Sequence, residues 1–163
     1  MSSEKIAESS PFIIRTVKNS DVPKVLKLIK TILESEFGKE AAVYPQIDLY
    51  DLETSYGGDR DCFLIAEHDG QIIGTVAIKE EDEKVAFLRR VFVDPKYRGK
   101  GYGLKLIDKA IEFCKKKNYR HISFRGTSRM ALALNLCRKK GFQEVDRMPM
   151  ENFEIIRYSL RLQ

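Results

Sequence analysis

The residues whose types and spacing could do chemistry run from Val91 to Leu104: Val-Phe-Val-Asp-Pro-Lys-Tyr-Arg-Gly-Lys-Gly-Tyr-Gly-Leu. A strand-forming run stops at Asp94-Pro95. Glycines 99, 101 and 103 then lead into apolar residues at helical spacing: Leu104, Leu106, Ile107, Ala110, Ile111 and Phe113. Such a junction favours an anion. The first turn of a helix leaves backbone N–H groups without intrahelical acceptors and carries the positive end of the helix dipole. Glycine lets a ligand approach the backbone, because no Cβ stands in the way. Arg98 and Lys100 add mobile positive charge, so the segment suits a pyrophosphate. Two common phosphate loops do not match. The Walker pattern needs four residues between its glycines and then Lys-Ser/Thr. The dinucleotide fingerprint needs G-x-G-x-x-G, where this chain has G-x-G-x-G.

Other chemistries are poorly supplied. The three cysteines, Cys62, Cys114 and Cys137, have no C-x-x-C spacing, and there are only two histidines. A zinc site and a disulfide framework are both disfavoured, no metal is expected, and a reducing, cytoplasmic setting is the natural one. Cys62 and Cys114 read as core. No apolar run approaches the ~18 residues of a membrane span, and the polar start, Met1 to Ser10, lacks the apolar region of a signal peptide. The net charge is +5, but residues 1–80 carry 9 Lys/Arg against 14 Asp/Glu, while residues 81–163 carry 20 against 10. Two ends of one site, or two partners of opposite sign, would fit this asymmetry. A nucleic-acid surface is disfavoured, since no aromatic residues interleave the basic runs in a stacking pattern.

The elements that must position the glycine-rich segment follow from periodicity. Residues 1–11 read as a disordered tail, and residues 12–163 as one domain of 163 residues' chain. Phe12–Val17 is a short strand. Asn19 and Ser20 offer N-cap chemistry to a helix with apolar residues at Val22, Val25, Leu26, Ile29, Ile32 and Leu33, ending near Gly38. Residues 39–60 are irregular, with a short helix around Leu49–Tyr56. Cys62–Ala66 and Gln71–Lys79 form a hairpin around His68-Asp69-Gly70, and Val85–Val93 is a further strand. The second long helix follows, then a strand at His121–Phe124, a helix from Met130 to Lys140 closed by Gly141, and two final extended segments. The order is that of an α/β (α+β) domain with a mixed sheet, not of regular βαβ units.

With Arg98, Gly101 and Gly103 in R-x-x-G-x-G, the chain resembles the GCN5-related N-acetyltransferase (GNAT) family. The surroundings strengthen the likeness. Val91–Pro95 stands where the family's fourth strand does, and Ala133–Phe142 resembles its second signature, a helix ending in Gly-Phe. Ile13, Arg15 and Asp21 look like its first strand and helix, and Asp69–Gly74 like its second hairpin. The likeness covers about residues 12–160. It implies a mostly antiparallel sheet of about six or seven strands, flanked by helices and splayed between the fourth and fifth strands. The splay would need a bulge in the Val85–Val93 strand.

The resemblance also implies acetyl-CoA as cosubstrate and an amine acceptor. Val91, Phe92 and Val93 would line the pantetheine arm, with backbone groups of Val91 and Val93 holding it as an added strand. Arg98, Gly99, Lys100, Gly101, Tyr102, Gly103 and Leu104 would hold the pyrophosphate. The reaction implied is acetyl transfer to a primary amine of a small molecule, amino acid or peptide by direct attack. The alternative is a non-catalytic acyl-CoA-binding module. That alternative arises because two family positions depart from the pattern. Cys137 stands where many relatives place a tyrosine acid, and is the candidate catalytic residue by position or else a small buried packing group. Phe87 stands near the usual glutamate base. Arg90 would bind an acidic substrate group or face solvent. Glu34, Glu36, Asp48 and Asp51, with Tyr44, Tyr50 and Tyr56, lie on the elements that line the acceptor site in relatives. The acidic half suits a cationic acceptor, and pairing into a homodimer is open.

Overall fold

The computed structural model describes residues 12–38 and 46–163, so the expected tail and Tyr44 lie outside the described residues. Its apolar runs become strands β1 (Phe12–Thr16), β2 (Cys62–His68), β3 (Gln71–Glu80), β4 (Val85–Val93), β5 (His121–Thr127), β6 (Gln143–Pro149) and β7 (Glu154–Arg161). They form one seven-stranded sheet in the order β1-β2-β3-β4-β5-β7-β6. Only β4 and β5 pair in parallel; every other pair is antiparallel. The sheet is therefore mixed, as the element order implied, and mostly antiparallel, as the family resemblance implied.

Two helical layers cover it. Helix α1 (Val22–Phe37) buries Val25, Ile29, Ile32, Leu33 and Phe37, a stripe at three- and four-residue spacing. Each such side chain contributes roughly 1.5–3 kcal/mol before the entropy of ordering is charged against it. With the short helix α2 (Leu52–Ser55), α1 packs on the sheet face that carries Phe63, Ile65, Ala77 and Phe92. Helices α3 (Tyr102–Lys116) and α4 (Ala131–Lys139) cover the opposite face, over Val76, Ala86, Leu88, Val91, Ile122 and Phe124. No helix among the described residues is long and apolar enough to cross a membrane.

The start of α1 differs from expectation. Asn19 and Ser20 do not cap it; they form a 3-10 turn with Asp21, and α1 begins after that turn. Asn19 instead reaches α2. Its backbone N–H donates to Glu53 Oε2 at 2.7 Å, and its side-chain oxygen accepts from Glu53 N at 3.1 Å. Asp21 takes the structural role, accepting both terminal nitrogens of Arg15 at 2.9 Å and Lys18 N at 2.8 Å. These bonds, the Arg15 one first, hold the Asp21 carboxyl below the usual carboxylate range.

Two irregularities in β4 decide where a ligand can enter. Between the Ala77–Arg89 and Thr75–Phe92 pairs, β4 has one residue more than β3, so Arg90 and Val91 face Val76 alone. Arg90 sits at φ 56, a left-handed conformation that a bulge demands and that a long side chain adopts at a cost. The buried Thr75 hydroxyl steadies the turn by donating to Arg90 O at 2.6 Å. Just before the bulge, β4 parts from β5. Their ladder runs from Val85–His121 to Leu88–Phe124 and stops, while β5 continues along β7 to Thr127–Ile155. The result is a fork in the middle of the sheet.

Candidate active site

The fork leaves the edge of β4 from Arg89 to Val93 without a strand ladder on its β5 side. A cleft of about 100 Å³ opens there, bounded by Ile32, Val91, Phe92, Arg98, Met130 and Ala133. An extended chain could lie along this edge and use its backbone groups as a strand would.

Along the chain, the glycine-rich segment follows this edge. Asp94 ends β4 and caps a 3-10 turn, Pro95–Tyr97, by accepting from Lys96 N at 3.0 Å. Gly101 is the N-cap of α3 at φ 85, the left-handed region that glycine occupies without penalty. A Cβ built on Gly101 would meet no protein atom within 4 Å, so the space before the helix is open. Gly103 is small for a different reason: a Cβ there would lie 2.7 Å from Leu136 Cδ1, on α4. Tyr102 stacks on Phe12 with ring centroids 4.3 Å apart, which fixes the first turn of α3 against β1. The space around the N-cap of α3 is thus open, and the first turn of a helix leaves its N–H groups without intrahelical acceptors.

Arg98 departs from the mobile charge expected of it. Its Nε donates to Val93 O at 2.9 Å, and its Nη2 pairs with Glu36 Oε2 at 2.8 Å. The guanidinium ties the loop to β4 and α1. Lys100 remains exposed, with its Nζ 5.6 Å from the Tyr97 ring centre.

Arg90 corrects a second expectation. It neither faces solvent nor waits for an acidic substrate. Its side chain is 6% exposed and pairs with Asp48, 16% exposed, through two guanidinium nitrogens; the Nε contact to Oδ2 measures 3.1 Å. Tyr56 OH donates to the same Oδ2 at 2.5 Å. Burial alone would raise the Asp48 carboxyl. The Arg90 and Tyr56 hydrogen bonds, with the Arg90 and Arg89 charges, outweigh burial and hold it below the ordinary carboxylate range. Burial, and then Asp48, push the Tyr56 hydroxyl upward. The other expected carboxylates divide. Glu36 serves Arg98, Asp51 caps α2 by accepting from Thr54 N at 3.2 Å, and Glu34 is exposed. Tyr50 is exposed and Tyr56 buried.

Cys137 lies on α4 with none of its surface exposed, packed in the core between the sheet and α3, and burial pushes its thiol up to about 12. Cys62 and Cys114 are likewise buried free thiols raised to about 12 by burial. Among the described residues no group of three or more His, Cys, Asp and Glu side chains could hold a metal ion. The Asp48 and Glu36 partnerships carry no signal in the sequence, since Asp48 and Arg90 lie 42 positions apart. Arg125, beside the fork on β5, was readable only from strand register.

The fold has counterparts among known proteins. Residues 26–142 match the model of the acetyltransferase (GNAT) family. A GNAT-family acetyltransferase from Staphylococcus aureus Mu50 superposes with a TM-score of 0.84 at 26% identity, over 94% of this chain and all of that one. A putative acetyltransferase from Salmonella typhimurium, solved with its cofactor acetyl-CoA, superposes with a TM-score of 0.74 at 18% identity, covering 93% of this chain and 94% of that one. Among curated proteins, an N-acetylaspartate synthetase from Xenopus tropicalis is 35% identical over 100 residues, which are 60% of this chain and 37% of that protein. The chain spans about half the length, or less, of the curated relatives it matches.

Proposed function

The chain belongs to the acetyltransferase (GNAT) family, and from that premise we propose that it moves an acetyl group from acetyl-CoA to a primary amine of a small molecule, amino acid or peptide by direct attack. The observation that carries this reading is the fork beside the Arg90 bulge, followed along the chain by the glycine-capped start of α3. The residues fit the cosubstrate: an unladdered strand edge for a pantetheine arm, then open helix N–H groups for a pyrophosphate. Bound acetyl-CoA supplies an acyl group activated as a thioester.

On this reading the backbone of Val91 and Val93 orients the pantetheine arm. Gly99, Lys100, Gly101, Tyr102, Gly103 and Leu104 hold the pyrophosphate, and Arg98 shapes the loop from behind while adding its charge. A backbone N–H of β4 beside the bulge polarises the thioester carbonyl. The amine nitrogen bonds to the carbonyl carbon as the carbon–sulfur bond breaks. The amine gives up one proton, and the departing sulfur takes one. The non-catalytic alternative gains no support from the relatives, which are described as transferases and a synthetase.

Cys137 contributes packing on this reading, because a sealed thiol cannot reach the departing sulfur. Cys137→Ala is expected to keep kcat/KM within about threefold while costing about 1 kcal/mol of stability from the lost buried sulfur. A fall of about 100-fold in kcat with the fold intact would instead mark it as the proton donor. The activity itself is tested by following thiol release from acetyl-CoA across a panel of amines, beside heat stabilisation by CoA. Stabilisation together with amine-dependent release is expected. A protein that CoA does not stabilise, and that releases no thiol with any amine, refutes the assignment.

A further inference from the structure

Two arginines stand where the fork begins. Leu88 and Phe124 form the last rung joining β4 to β5, and both are buried under α3 and α4. Side chains alternate between faces along a strand, so the next residues, Arg89 and Arg125, project to the opposite face, the one α1 and α2 only partly cover. Together with Phe87 and Leu88 they line an open pocket of about 320 Å³. Arg125 is held over the Phe87 ring, 5.3 Å from its centre. Neither arginine donates a hydrogen bond or forms an ion pair to a carboxylate among the described residues, in contrast to Arg15, Arg60, Arg90, Arg98, Arg147 and Arg157.

Like charges on neighbouring strands destabilise a sheet unless something neutralises them. The nearby carboxylates are already engaged: Asp48 with Arg90, Glu36 with Arg98, and Asp146 with Arg157, which sits across from Arg125 on β7. Asp48 and Asp146 feel the charges of Arg89 and Arg125 without pairing directly with them, which leaves two guanidinium groups with open hydrogen-bond donors beside the edge of β4 where the amine would arrive.

We infer that the acceptor is an amine that also bears a carboxylate, and that Arg89 and Arg125 bind this carboxylate. The inference rests on the acetyl-transfer reading and names the substrate class for it. A planar guanidinium donates paired N–H bonds to a carboxylate, and two of them across the mouth of the fork fix where the attached amino group points. Arg89 and Arg125 act on binding and orientation, with no part in proton transfer.

The test compares thiol release with free amino acids, their α-amides, simple alkylamines and dipeptides. The enzymes are the unaltered protein, Arg89→Gln, Arg125→Gln and, as a control for lost charge, the exposed Arg120→Gln. Free amino acids are expected to exceed their amides in kcat/KM by about 30-fold or more. Each of the two pocket variants should raise the KM for the acid by about 10- to 100-fold. The KM for acetyl-CoA and the residual rate with amides should hold, which also shows that the variants fold. Dipeptides matching free amino acids would identify a chain-terminal carboxylate as the group bound. Amides equal to acids, or pocket variants that behave like Arg120→Gln, overturn the inference and leave acetyl transfer standing. Thiol release with none of the amines overturns both.

Discussion

Asp48→Ala is expected to lower the unfolding free energy by about 3–5 kcal/mol, the cost of leaving a buried guanidinium without its counter-ion. Arg90 is 6% exposed at its side chain and cannot swing to water without opening the β4 bulge that its own left-handed backbone forms. Removing the carboxylate also frees the Tyr56 hydroxyl, which is buried against Phe63 and donates to Asp48 Oδ2. The damage falls on the bulge that separates β4 from β5, so acetyl transfer should fall further than stability alone accounts for. Replacing both partners with apolar residues, Asp48→Leu with Arg90→Met, should cost less than Asp48→Ala alone, since no charge is then stranded. Denaturant titration of the three proteins checks this. A loss under about 1 kcal/mol for Asp48→Ala would show that the pair is effectively solvated.

The same pair sets an acid limit. The folded Asp48 carboxyl titrates below its unfolded value of about 3.9. Its contribution is therefore complete above that value and is lost as pH falls through the folded pKa. Asp21, held down by Arg15, acts in the same direction. Stability should be flat from neutral pH to about pH 5 and fall below about pH 4. In Asp48→Asn the drop below pH 4 should shrink.

Gly101→Val is expected to weaken CoA binding by about 100-fold or more, close to 3 kcal/mol. Two effects add. A β-branched residue at φ 85 costs about 1–2 kcal/mol of backbone strain, so the helix start shifts out of the left-handed region that aims its N–H groups. A side chain would also occupy the space where phosphate oxygens approach, which the protein itself leaves open to 4 Å around the position. That openness makes the test selective, because no packing is lost and the protein should stay folded. Gly103→Val gives the contrast. Its side chain would press on Leu136 and Val93, so its main effect should be on stability through the α3–α4 contact. Calorimetric titration with CoA, beside thermal unfolding, separates the two. Unchanged CoA affinity in Gly101→Val would remove the pyrophosphate assignment.

What could be read along the chain was what short stretches encode. The strand at Val85–Val93, the Asp94-Pro95 stop, the glycine spacing and the stripe of α3 are local patterns, and periodicity with turn chemistry suffices for them. They led to the mixed sheet and to the glycine-rich junction proposed to bind an anion. Asn19 shows the limit even locally. It has the chemistry of a cap, but α2 offers its backbone and side chain better partners, and the cap is not made. Only the tertiary structure decided which charges meet. Arg90 is directed inward by a bulge, and Asp48 arrives from a turn far away in sequence to neutralise it. Arg98 turns back to Glu36, and Arg89 and Arg125 form no ion pair among the described residues where β4 and β5 part after Leu88 and Phe124. A charge's partner depends on where separate segments end in space, and the long-range register that sets those ends comes from packing the whole sheet between its helices. The amino-acid sequence by itself therefore determined the scaffold and the place of the glycine-rich junction proposed to hold the phosphates, and the folded chain determined which of its many charges pair with one another.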